Sequence, residues 1–87
     1  MRITKVAKAG TLESNDILIM VSPNEGETIE LELESIVMKQ FGEAIEQVIL
    51  HKVQEIGVKG ITIKAQDKGA LDYTIAARVE TAIKRSL

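Results

Sequence analysis

The stretch Thr28-Ile29-Glu30-Leu31-Glu32-Leu33-Glu34 alternates between apolar and acidic residues from Ile29 onward. A period of two puts Ile29, Leu31 and Leu33 on one face of a strand and Glu30, Glu32 and Glu34 on the other, so one face is core and the other wet. At Ser35 the period changes. Val37, Phe41, Ala44, Ile45, Val48, Ile49, Val53 and Ile56 recur at spacings of three and four, which predicts a helix N-capped by Ser35, running to about Ile56 and closed by Gly57 in a left-handed cap. Gly42 lies inside that helix, and close packing against the sheet is the expected reason for it.

Upstream, Ile17-Leu18-Ile19-Met20-Val21 is a continuous apolar run between Asp16 and Ser22-Pro23-Asn24-Glu25-Gly26. It reads as a strand followed by a hairpin loop. Because it does not alternate, the strand is either central with both faces covered, or its outer face meets the N-terminal arm or another subunit. Residues 1–13 show no period and are expected to form an irregular arm. Downstream, Ile61, Ile63 and Ala65 alternate with Thr62, Lys64 and Gln66, which predicts a third strand. Asp67-Lys68-Gly69-Ala70 turns the chain, and Leu71, Ile75, Val79, Ala82 and Ile83 then mark a last helix whose Lys84 and Arg85 suit its negative end. The expected fold is α+β: a small β-β-α-β-α sandwich forming a single domain over residues 1–87, with a three-stranded sheet and two helices on one face. If the second and third strands pair in parallel, the helix between them is a right-handed crossover.

Composition narrows the chemistry. A chain of 87 residues makes one domain, and its only aromatics, Phe41 and Tyr73, leave the core to aliphatic side chains. With no cysteine, disulfides, thiolate metal sites and a cysteine nucleophile are excluded. No apolar run approaches the roughly 20 residues of a membrane span, and the N-terminus lacks a secretory pattern, so the expected location is cytoplasmic. The net charge of -2 hides an uneven spread: residues 13–46 carry nine acids against Lys39 alone. That field argues against nucleic acid and for basic partner surfaces, or equally for a solvated acidic face.

Most candidate sites give way to plainer readings. His51 is the default general base, but no nucleophile or carboxylate stands beside it at a useful spacing. Gly57-Val58-Lys59-Gly60 matches the GxxG loop of KH domains, yet it joins a helix to a strand and lacks a basic face. Glu30, Glu32 and Glu34 stand about 7 Å apart along a strand, too spread to converge on a metal. Asp67 and Asp72 fit as turn and cap residues. The loop Gly10-Thr11-Leu12-Glu13-Ser14-Asn15-Asp16 remains, with Ser14 at its centre. No assembled catalytic group is left, which leaves two classes: a carrier or docking subunit of a larger enzyme, and a structural interaction module.

Four segments then point to one family. Ala9-Gly10-Thr11-Leu12-Glu13-Ser14-Asn15-Asp16, Pro23-Asn24-Glu25-Gly26, Ser35-Ile36-Val37-Met38-Lys39-Gln40-Phe41-Gly42 and Asp67-Lys68-Gly69-Ala70-Leu71-Asp72 together resemble the acyl carrier, or gamma, subunit of bacterial citrate lyase over essentially the whole chain. The resemblance implies that Ser14 carries a phosphodiester-linked 2'-(5''-phosphoribosyl)-3'-dephospho-CoA arm whose thiol bears acetyl and citryl thioesters. It implies four partners: an alpha subunit that transfers the acyl carrier, a beta subunit that cleaves the citryl group to oxaloacetate, a holo-carrier synthase that modifies Ser14, and a ligase that acetylates the thiol. The chain would then be a non-catalytic carrier with no metal, nucleic acid or membrane to bind, its serine exposed on a mobile loop. The resemblance leaves two alternatives open, the carrier of malonate decarboxylase, which has the same kind of arm, and that of citramalate lyase, although the AGTLES and DKGALD segments favour citrate lyase.

Overall fold

The computed structural model describes residues 1–87. Its elements are β1 (Ala7–Ala9), β2 (Ile17–Pro23), β3 (Ile29–Ser35), α1 (Met38–Ile56), β4 (Ile61–Asp67) and α2 (Asp72–Ser86). The sheet has four strands in the order β1-β2-β4-β3, not the expected three. The additional strand, β1, lies in the stretch read as an irregular arm, where three residues are too few to show a period. It pairs antiparallel with β2, Ala9 facing Ile19.

The expected hairpin between β2 and β3 is also corrected, because β4 lies between them. β4 runs antiparallel to β2 and parallel to β3, so α1 is the crossover of a parallel β3-α1-β4 unit. A sequence reading sees that β2 and β3 are joined by a short loop, but not that a later strand inserts between them.

The core lies between one sheet face and the helices. Ile17, Ile19 and Val21 of β2 and Ile61, Ile63 and Ala65 of β4 turn inward and are buried. α1 buries Gly42, Ile45, Ile49 and Val53, and α2 buries Ile75, Val79, Ala82, Ile83 and Ser86, each set at helical spacing. Both helices cover the same face, as expected. The opposite face is open: Glu30, Glu32, Glu34, Lys64 and Met20 are exposed, so central β2 has one covered face and not two.

Several helix expectations change. Ser35 is not the N-cap; it ends β3, and Val37 holds the cap position without a side-chain cap. The Ser35 hydroxyl instead accepts from the Val37 N–H at 3.1 Å and donates to Asp67 at 2.7 Å. Gly42 is buried, but a Cβ there would meet only the Met38 side chain, so the sheet does not account for it. Phe41 and Leu71, both placed on buried stripes by spacing, are 56% and 59% exposed. The helix end is as expected: Gly57 is left-handed at φ 85°, and its N–H reaches the Val53 carbonyl at 3.0 Å.

Candidate functional site

Strand register gathers three connections at one end of the sheet. Ile17 and Ser35 both lie opposite Asp67, which brings together the β1–β2 loop, the β3–α1 turn and the β4–α2 turn. Two buried acids organise this end. Asp16, 9% exposed, accepts both Nε and Nη2 of Arg78 from α2, at 3.1 and 3.0 Å. It also accepts the Thr11 hydroxyl at 2.8 Å and the Ile17 N–H at 2.7 Å. The Arg78 hydrogen bonds lower the Asp16 carboxyl from its ordinary 3.8 to about 2, against burial, which pushes the other way. Asp67, 1% exposed, accepts from Ser35 and from the Ala70 N–H at 2.9 Å, so the turn role expected of it is met from a buried position.

The loop from Gly10 to Asp16 is wrapped around the first of these acids. Gly10 adopts φ 94°, and a Cβ there would overlap the Ile17 carbonyl oxygen, so only glycine fits. Asn15 is left-handed at φ 65°, a conformation asparagine tolerates better than most residues. Its N–H donates to the Lys68 carbonyl at 2.8 Å, while the Lys68 N–H returns to the Asp16 carbonyl at 2.8 Å and the Asp16 N–H reaches Glu13 at 3.1 Å. The expected mobile loop is thus anchored by its backbone on the inner side. Ser14 occupies the outer side, exposed, its hydroxyl without a hydrogen-bond partner in the chain.

Asp16 and Arg78 went unread as site residues. Their only signal was an acid directly before an apolar strand and one cation midway along an otherwise apolar and polar helix face, 62 positions away.

Beside the loop is a cleft of about 540 Å³ between the starts of the two helices, lined by residues of α1 and of the Gly69–Tyr73 segment. Its rim holds Phe41, Leu71 and Tyr73, all strongly exposed. The other candidates lie elsewhere. His51 is exposed on the C-terminal half of α1, beside Lys52 and Glu55 in a separate groove. The Gly57–Gly60 turn joins α1 to β4 at the opposite end of the sheet, and Glu30, Glu32 and Glu34 line the open face of β3. Asp72 opens α2. No candidate base is brought to Ser14, so the arrangement presents a hydroxyl and does not activate it.

Comparison with known proteins agrees along the whole chain. A family model described as "Malonate decarboxylase delta subunit (MdcD)", of the acyl carrier type, matches residues 4–86. The chain is 49% identical to the citrate lyase acyl carrier protein of Halothermothrix orenii over 87 residues, covering 99% of this chain and 90% of the relative. It is 50% identical to that of Streptococcus equi subsp. equi over 86 residues, covering 99% and 84%. Citrate lyase acyl carrier protein 2 of Salmonella typhimurium is 46% identical over 86 residues, covering 99% and 89%. In structure, a chain of a Pseudomonas malonate decarboxylase hetero-tetramer superposes with a TM-score of 0.78 at 14% identity, over 95% of this chain and 84% of that one. At that identity the likeness speaks for the fold.

Proposed function

Given that the chain belongs to the citrate lyase acyl carrier protein family, we propose that its acyl load is held through a prosthetic group esterified to Ser14. The chain is an acyl carrier subunit and not an enzyme on its own. The observation that carries the assignment to Ser14 is an exposed hydroxyl, free of internal hydrogen bonds, at the outer apex of a loop whose inner side is fixed by Asp16 and Asn15.

The residues present suit 2'-(5''-phosphoribosyl)-3'-dephospho-CoA. A thioester carrier without cysteine needs a thiol from outside the chain, and that group supplies one when bound. Ser14 offers the oxygen for the phosphodiester. Asp16 and Arg78 keep the loop's backbone in place, so the modifying enzyme meets one conformation. A tether of this length raises the effective concentration of its cargo at each partner site, which is the carrier's contribution to turnover. The catalytic groups come from partners: an acyl-transferring alpha subunit, a citryl-cleaving beta subunit, the holo-carrier synthase and the acetylating ligase.

Ser14→Ala is the direct test. The variant is expected to unfold at the same temperature as the parent, since an exposed loop hydroxyl carries little stability, and to give no lyase activity when assembled with the partner subunits. Full activity in the variant complex would overturn the assignment. The malonate decarboxylase family model supports a second reading, a carrier for that decarboxylase. Assembly with each set of partners in turn, scored by which acid is consumed, separates the two.

A further inference from the structure

The chain has two aromatic side chains, and both stand on the rim of the cleft beside the Ser14 loop. Phe41 comes from the first turn of α1 and is 56% exposed; Tyr73 comes from the first turn of α2 and is 73% exposed. Neither packs in the core, although spacing places Phe41 on α1's apolar side. The floor between them is apolar, formed by Val37, Ala44, Ile45 and Ala70. A concave apolar cleft with exposed aromatic rings from both helices suits a flat heteroaromatic group.

The cleft also adjoins the proposed attachment point. Gly69 lines it, and the Asn15 side-chain oxygen lies 3.7 Å from where a Cβ on Gly69 would stand. Asn15 is the residue after Ser14, and its N–H is bonded to Lys68. Lys68 lines a separate groove with Glu34, Ser35 and Gln66, whereas Asp72 lines the cleft itself as an exposed acceptor.

We propose that the cleft between α1 and α2 binds the adenine ring of the prosthetic group tethered to Ser14, with Phe41 and Tyr73 as stacking surfaces. Asp72 accepts from the exocyclic amine. Docking the nucleotide leaves only the pantetheine end free to reach partner sites. The inference rests on the attachment at Ser14 and extends it.

The test compares the unmodified and modified full-length chain, the modification being verified by mass. Tyr73 is the only tyrosine and there is no tryptophan, so its emission reports on the cleft alone. Expected on modification are quenching of Tyr73 emission and upfield displacement of the Phe41 and Tyr73 ring protons in NMR spectra. Phe41→Leu, which keeps the apolar surface, should lower the docking equilibrium constant roughly tenfold, within the range that base–aromatic stacking supports. Ring signals identical in the two forms would overturn the docking proposal while leaving the attachment intact, whereas a chain that gains no mass at Ser14 would overturn the attachment itself. If the rings respond only when a partner subunit is added, the cleft is a protein interface and the adenine assignment is wrong.

Discussion

The two ends of the sheet solve the same problem with different chemistry. At the far end the β2–β3 connection, the α1–β4 turn and the N-terminus are tied by hydrogen bonds to backbone carbonyls: Asn24 N–H to Gly60 at 2.9 Å, Lys59 N–H to Met1 at 3.1 Å, and the exposed Arg2 guanidinium to the Gly26 carbonyl at 2.9 Å. At the serine end two carboxylates are buried, a non-glycine residue is left-handed, and aromatic rings stand in water. Each of those features costs stability unless something offsets it, and they are confined to one end. The contrast supports the proposed attachment at Ser14: this end spends stability on holding an exposed hydroxyl in a fixed loop with an apolar surface beside it.

The two ends differ most in what their glycines tolerate. Gly10→Ala sets a Cβ against the Ile17 backbone at φ 94° and is expected to cost about 3 kcal/mol or more. Gly57→Ala, at φ 85° with nothing within 4 Å, should cost only about 1 kcal/mol. Urea unfolding of both variants checks the order; equal losses would mean that the serine loop is no more tightly built than the far turn.

The cations at the two ends give the next effect. Arg78→Met strips Asp16 of its bidentate partner and leaves a buried charge with a hydroxyl and one N–H, an expected loss of about 2 kcal/mol. Arg2→Ala removes one exposed hydrogen bond and should change stability by less than about 0.5 kcal/mol. A larger loss at Arg2 would reverse the account.

Acid titration gives the smallest contrast. Asp16 is held near 2 in the folded chain, below its ordinary value of 3.8, so its contribution is fully present above about pH 4 and is lost as the pH falls through 2. Solvent screening at the partly open Arg78 guanidinium, 40% exposed, reduces the contribution to about 1–2 kcal/mol. Asp16→Asn should flatten that part of the stability profile; an unchanged profile would place the acid sensitivity elsewhere.

Much of the fold was legible because two periods are clear in the sequence. Ile29 to Glu34 could only be a half-wet strand, and the α1 and α2 stripes located the helices and the face they cover. What the periods could not show was nonlocal: a three-residue β1 with no room for a pattern, and β4 inserted between β2 and β3. The serine loop was legible as a polar turn, and resemblance singled out Ser14 in it. Its support was not, because Asp16 and Arg78 meet only after folding. Phe41 and Leu71 misled in the opposite direction: spacing sent both to the core, and the structure places them at the cleft beside the loop.

The most direct test of the account is the intact mass of the chain isolated from its native host, before and after mild thioester cleavage, followed by peptide mapping. The account predicts a covalent addition of prosthetic-group size on Ser14, with a smaller acyl increment that disappears on cleavage. An unmodified chain within an active complex, or an addition mapped to any other residue, would contradict it.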